Sequence, residues 1–256
     1  MADLVSKIQP RPFYMAPVEF IIPFHGEQNK VTQLIESIYS TIKTNRYLIT
    51  LVDDCSPNKD YIKMIQKSKL DGIRCLSQEH KGFGAAINLA INNPSANDIP
   101  YVCILHSDVL MHFGNWLINL GDSLLTLKSQ KVGMISPLTN NPVIDLPILK
   151  AEKSEKKEDT ILSEGFLPMY CVLAHRQLFS KVGPLLECPY AGTEAEEYSN
   201  RMNSLGIKQA VCGNSWIQHH GQATLSKFKK KTKIQELLRK VNEQYIPRQV
   251  KQEATT

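Results

Sequence analysis

The sequence predicts an α/β protein: one domain with a mostly parallel central sheet flanked by helices, carrying a C-terminal basic amphipathic helix. Three observations predict it. Short apolar runs alternate along the chain with segments in which apolar residues recur every three or four positions, the pattern of strand followed by helix. The runs are apolar throughout rather than at every second residue, as expected of strands covered on both faces. A chain of 256 residues with 42% hydrophobic content also has enough apolar material for one full core.

The elements follow in order. "VEFII" (Val18 to Ile22) reads as the first strand, stopped by Pro23, and Val31, Leu34, Ile35, Ile38, Tyr39 and Ile42 then recur at helical spacing. "YLITLV" (Tyr47 to Val52) is followed by a helix through Tyr61 to Ser68, and "IRCL" by a helix from Phe83 to Ile91. "YVCIL" (Tyr101 to Leu105) leads to a helix through Trp116 to Leu127, and then comes "VGMIS" (Val132 to Ser136). After Pro137 the alternation breaks. Lys150 to Thr160 is charged and reads as a surface loop, either a lid or a plain insertion. "FLPMYCVLAH" (Phe166 to His175) resumes strand character, a helix runs from about Glu194 to Leu205, and "QAVCG" with "SWIQHHG" closes the folded part. Residues 1–16 form an N-terminal extension, 17–221 the domain, and 222–256 a helical tail with Ile234, Leu237, Leu238, Val241 and Tyr245 on one stripe.

Composition excludes several classes. No apolar run approaches the roughly 18 to 20 residues of a membrane span, and "MADLVSKIQPRPF" lacks the apolar centre of a signal peptide. Cys55, Cys75, Cys103, Cys171, Cys188 and Cys212 are scattered with no CxxC pair, which points to reduced thiols and a cytoplasmic setting. The net charge of +5 belongs to the tail: from Gln222 onward nine Lys or Arg face three Glu. The tail is either a solvated helix face or a contact for anionic lipid, which would place the protein at the periphery of a membrane. Packing of its stripe on the domain, or on a second subunit in a homodimer, is the other reading. Nucleic acid is not expected as a partner, because only Phe228 and Tyr245 accompany the lysines.

In a parallel sheet the residues just beyond each strand share one edge, and ligands bind there. Pro23, His25 and Glu27 follow the first strand; Asp53 and Asp54 the second; His80, Lys81 and Gly82 the third; His106, Ser107 and Asp108 the fourth. Plainer readings exist. Asp53-Asp54-Cys-Ser also suits the cap of the helix after Pro57, and Asp108 suits a turn or cap ahead of Phe113-Gly114. "KGFGAAIN" contains Gly-x-Gly but lacks the third glycine of a dinucleotide fingerprint and follows the wrong strand. Its small residues still let a phosphate approach the backbone. Asp108, beside two other acids, suits a hard divalent cation carrying phosphate oxygens.

The order and residues of six stretches match one family. "IIPFHGE" corresponds to P-x-Y-N-E, "LVDDCS" to V-D-D-x-S, "HKGFGAAIN" to N-x-G-F-x-x-A-x-N and "ILHSDV" to the D-x-D element. "GTEAEEYSNRMNSLG" corresponds to E-D-x-[DE]-x-x-x-R-x-x-x-x-G, and "IQHHG" to a late histidine. Over roughly Val18 to Gly221 the chain resembles the glycosyltransferase family 2 enzymes of GT-A fold. Its "GF" dipeptide is similar to that of rhamnosyltransferase-like members.

The resemblance implies an inverting, metal-dependent glycosyltransferase that moves a sugar from a nucleoside-diphosphate sugar donor to a hydroxyl of a glycan, lipid-linked or protein-linked acceptor. By correspondence, Glu27 and Asp53 or Asp54 would bind base and ribose, Lys81 and Gly82 would lie near ribose or diphosphate, and Asn88 would brace the loop. Asp108 and His219 would hold Mn2+ or Mg2+, and His106, in place of the first carboxylate, would meet a ribose hydroxyl or phosphate together with Ser107. The family's catalytic base falls on Ala195, which cannot accept a proton. Glu194 or Glu196 would then act as base, or the chain is a non-catalytic sugar-nucleotide or glycan-binding relative, or the alanine replaces an aspartate. A nucleotidyltransferase fits less well, lacking a Gly-rich loop at the first strand.

Overall fold

A computed structural model describes residues 13, 16–43, 46–68, 72–141, 160–163, 166–188 and 193–221. The charged loop at 150–160, apart from its last residue, the N-terminal extension up to residue 12 and the whole basic tail lie outside the described residues.

The first half alternates strand and helix: β1 (Val18–Phe24), α1 (Gln28–Thr41), β2 (Tyr47–Asp54), α2 (Asp60–Ser68), β3 (Ile73–Gln78), α3 (Phe83–Asn92) and β4 (Tyr101–Leu105). β1 lies between β2 and β4 and β2 beside β3, all parallel. Strands β1, β2 and β4 are buried almost throughout, as their unbroken apolar runs require. α1 buries Val31, Leu34, Ile35 and Ile38 on one stripe, each apolar side chain contributing about 1.5–3 kcal/mol. Tyr39 falls off that stripe and is exposed.

Beyond β4 the sheet turns mixed. The chain continues through β5 (Val109–Leu110), α4 (Trp116–Thr126), β6 (Val132–Thr139), β7 (Thr160–Ser163), β8 (Cys171–His175), α5 (Gln177–Val182), α6 (Glu194–Ser204) and β9 (Lys208–His219). The order across the sheet is β3-β2-β1-β4-β8-β6-β9-β5, with β7 also on β9. β8 runs antiparallel to β4 and β6, whereas β6 and β9 are parallel.

Three features differ from the sequence reading. Strand β1 does not stop at Pro23 but continues to Phe24. Pro23 stays in register with Val52 and Phe24 with Asp53 on β2, whereas the ladder with β4 ends at the Ile21–Ile104 pair. "QAVCG" and "SWIQHHG" are one strand, because the Gly213-Asn214 interruption is a bulge: the register with β6 jumps from Pro137–Cys212 to Leu138–Trp216. That bend carries the end of β9 across to β5, where Val109 pairs with His219. Three short elements, β5, β7 and α5, are not evident from periodicity.

Opposite the ligand edge, Glu19 is fully buried among Arg74, Arg176, Thr50 and Ser95. Burial pushes its carboxyl up, but the two hydroxyl donors and the two guanidinium groups outweigh this and hold it below its ordinary value.

Candidate active site

The C-terminal ends of β1 to β4 put the predicted residues on one edge. Asp54 organises its loop: Oδ1 accepts from Gln78 Nε2 (2.8 Å) and the Lys81 amide (2.8 Å), and Oδ2 from the Gly82 amide (3.0 Å). His80 Nδ1 lies 2.8 Å from the same Oδ2. Asp53 is fully buried; Oδ1 accepts from the Ser56 amide at 2.8 Å, and Oδ2 pairs with Lys59. Both carboxylates are therefore bonded within the protein. Neither caps α2, since the Asp60 amide donates to Asn58 Oδ1 instead.

What faces the crevice is the layer that these acids hold. His25 Nδ1 donates to the Asp54 carbonyl at 2.7 Å, and its ring lies 4.9 Å from that of His80. The turn from His25 into α1 runs through Gly26 (φ 71°) and Glu27 (φ 56°), a left-handed pair that glycine accommodates easily and glutamate does not. Glu27 sits 3.6 Å from Lys30. Cys55, also left-handed (φ 63°), is exposed beside Asp54. The Lys81 side chain is exposed, and Gly82 ends the loop with a positive φ of 88° ahead of α3. Pro23 is buried within β1.

Farther along the edge, Phe83 packs edge-on against His106 (4.9 Å between centroids), which in turn meets His219 (5.5 Å). Ser107 is half-buried in the turn between β4 and β5. One ligand atom each from His106, Asp108 and His219 lies within 4.8 Å of the others. The cluster is rigidly framed. The His106 amide donates to the Tyr170 carbonyl (2.8 Å), and the His220 amide to the Asp108 carbonyl (3.1 Å). His219 stacks on Tyr170 at 5.1 Å, its amide donates to Asn140 Oδ1 (2.8 Å), and its Nδ1–H donates to the Asn141 carbonyl at 2.7 Å.

That last bond sets the chemistry. With Nδ1 donating to Asn141, Nε2 is the ring nitrogen turned toward Asp108. Nε2 is buried and lies 3.3 Å from Asp108 Oδ1, an ion pair when the ring is protonated. Burial, helped by His219, lowers the His106 pKa to about 4, so this imidazole is neutral near pH 7. Burial alone would raise Asp108, but His219, His106 and Lys30 outweigh it and hold the carboxyl down at about 2. Two imidazoles and one carboxylate with ligand atoms within 4.8 Å of one another fit a divalent cation.

The α6 segment meets this edge through α3. Asn88 is paired twice with the Leu185 backbone, its Nδ2 donating at 2.9 Å and its Oδ1 accepting at 2.8 Å, and Nδ2 also reaches Glu187 Oε1 (3.3 Å). Gly84 lets that loop close on α3, for a Cβ there would lie 2.0 Å from the Leu186 carbonyl oxygen. Glu194, 3% exposed, packs toward Gly84, whereas Glu196 is exposed on the other side of α6. Ala195 is half-buried against the core between them. Glu197 forms a two-pronged pair with Arg201, which also holds the Val182 and Pro184 carbonyls, so it is structural. Lys30, Phe83, Asn140, Asn141 and Tyr170 were not singled out from sequence.

A half-parallel sheet with a carboxylate–histidine cluster at the end of its fourth strand defines a GT-A-like domain. Residues 19–126 match the model of the family Glycosyl transferase family 2. No curated protein matches the chain. Among solved structures it is similar to the mannosyltransferase PcManGT from Pyrobaculum calidifontis, in complex with GDP-Man and Mn2+ (TM-score 0.62, 16% identity, covering 83% of this chain and 59% of that one). It is also similar to GalNAc-T7 with UDP, GalNAc and Mn2+ (0.65, 16%, 80% and 44%) and to S. aureus TarS 1-349 with UDP-GlcNAc (0.56, 14%, 80% and 58%). The chain thus spans about half the length of the structures it resembles. No helix among the described residues is long and apolar enough to cross a membrane.

Proposed function

We propose that the protein is an inverting glycosyltransferase that takes a sugar from a nucleoside-diphosphate sugar and passes it to an acceptor hydroxyl on a glycan or on a lipid- or protein-linked carrier. The observation that carries this reading is the His106–Asp108–His219 cluster at the crevice, on a fold shared with proteins bound to GDP-Man or UDP-GlcNAc. Asp108 and His219, with Asn141 fixing the tautomer of the latter, would hold a divalent cation such as Mn2+ or Mg2+. When bound, such a cation offsets the charge that builds on the leaving diphosphate. Asp54 keeps the Gln78–Gly82 loop folded so that its backbone and the His25–His80 pair line the nucleotide side. On the acceptor side, Glu194 is the carboxylate packed toward Gly84 at the start of α3, so it, rather than the exposed Glu196, takes the acceptor proton. General base catalysis of this kind contributes about 10²- to 10⁴-fold.

A thermal-shift panel of UDP-, GDP- and dTDP-sugars with Mn2+, Mg2+ or EDTA tests the donor. A donor at about 100 times its Kd stabilises by about 2.7 kcal/mol, and a flat response to every donor with either metal refutes the reading. Ala195 favours a second reading, a sugar-nucleotide binder that does not turn over. Ala195→Asp decides between them. In a working enzyme it raises transfer with donor affinity nearly unchanged, whereas donor binding without hydrolysis or transfer in either form supports the binder.

A further inference from the structure

We infer that the edge opposite the crevice is a docking surface for an anionic lipid membrane, with Leu205 as an apolar tip set among Lys128, Lys131, Lys181 and Lys208. β6 and β9 begin at this edge, β8 ends there, and α6 runs to it from its start beside Gly84. The Lys208 amide donates to the Lys131 carbonyl (2.9 Å) and the Lys131 amide to the Lys128 carbonyl (3.0 Å), which joins the starts of the two strands. α5 is seated beside them. A Cβ on Gly133 would lie 2.6 Å from Ile207 Cγ2 and 2.9 Å from Leu178 Cδ1, and Lys181 follows Leu178 by one turn. Burial and then the Lys128 charge lower the His175 pKa, so this lysine stands near the end of β8.

The backbone sets Leu205 outward. α6 closes with the Ile207 amide on the Met202 carbonyl and the Gly206 amide on the Asn203 carbonyl, both at 2.9 Å, a cap in which Gly206 takes a φ of 66°. Met202 and Ile207 are buried behind that cap, whereas Leu205 is 49% exposed, more than any other large apolar side chain among the described residues.

Charge decides the partner. Residues 126–132, 176–182 and 203–209 contain no Asp or Glu, and Arg176 is paired with Glu19, which leaves four lysines. All four are exposed, and none joins an ion pair among the described residues. Residues 1–221 as a whole carry 21 Lys or Arg against 22 Asp or Glu, so the positive charge is gathered here rather than general. Lysines attract an anionic leaflet, and an apolar side chain among them enters its interface. Nucleic acid would leave Leu205 without a role, and the one aromatic ring in these three stretches outside histidine, Phe179, is buried and offers no base a stacking face. With this edge on the bilayer, the crevice opens toward solution.

The test uses the full chain and vesicles of phosphatidylcholine alone or mixed with phosphatidylserine, read by co-sedimentation at low and at high salt. We expect binding to the mixed vesicles only, weakened by salt. Lys131→Ala and Lys208→Ala should each weaken it about fivefold. Leu205→Ser should weaken it by about three- to tenfold. Leu205→Trp supplies the depth reading: the two native tryptophans are buried, so phospholipid brominated on its acyl chains should quench the introduced indole. Circular dichroism melts confirm that the variants are folded. Equal binding to pure phosphatidylcholine overturns the inference, as do lysine variants that bind like the parent, since the protein then reaches the vesicle by another surface. Sedimentation with the introduced indole unquenched overturns it too, and so does binding to duplex RNA but to neither vesicle.

Discussion

Gly84→Ala isolates the contact on which the acceptor side of the crevice depends. In an exposed helix this change favours the folded state by about 1 kcal/mol, because alanine is the better helix former. Here the new Cβ would stand 2.0 Å from the Leu186 carbonyl oxygen, 3.1 Å from its carbon and 3.4 Å from Glu194 Cγ. The first distance is about 1.4 Å short of ordinary contact, and the atom in the way is backbone, so no side-chain rotation relieves it. Overpacking of this kind costs about 1–3 kcal/mol. Withdrawal of the loop also strains the paired Asn88–Leu185 hydrogen bonds, each worth about 0.5–1.5 kcal/mol. Set against the helix gain, the net expectation is a loss of about 2 kcal/mol. Urea unfolding followed by circular dichroism should show a lower midpoint with an unchanged slope. A variant as stable as the parent, or more stable, would show that the loop does not press on α3 and would remove the packing basis for Glu194.

Two further outcomes concern the charged groups. Glu19→Gln removes the anion between Arg74 and Arg176 and should destabilise by about 3–5 kcal/mol in denaturant unfolding at neutral pH. Because the folded pKa of Glu19 is depressed, its contribution is complete above the ordinary glutamate value of about 4.3 and is lost as pH falls through the lowered one. The parent should therefore lose stability in that acid range and the Gln variant should lose less; parallel pH profiles would refute this. Asp108→Asn keeps the shape of the site and removes its only carboxylate, so Mn2+-dependent stabilisation by the donor should weaken by more than tenfold in the thermal-shift assay, and an unchanged shift would contradict the cation role.

The parallel half of the fold was legible because its strands are buried on both faces and its helices carry a single stripe, so periodicity alone separates them. The mixed half was not. β5 is two residues long and exists because Val109 and Leu110 meet His219 and Gln218 from more than a hundred positions away. The bulge in β9 reads in sequence as an ordinary turn, since Gly213-Asn214 carries the same local signal in either case. At the site, the strand-end rule brought His25, Asp54, His80 and Lys81 to one place. It could not show that Asp53 and Asp54 spend their lone pairs on Ser56, Lys59 and the Gln78–Gly82 loop. The tautomer of His219 was equally hidden, because Asn141 and Tyr170 approach it only once the sheet has closed.

Of the six cysteines, Cys55 alone is exposed, and it follows directly on Asp54 at the crevice rim. A maleimide dye should therefore couple there first, giving a singly labelled protein without any engineering. Its brightness would then report the arrival of a nucleotide in real time, and so yield association and dissociation rates that a melting curve cannot supply.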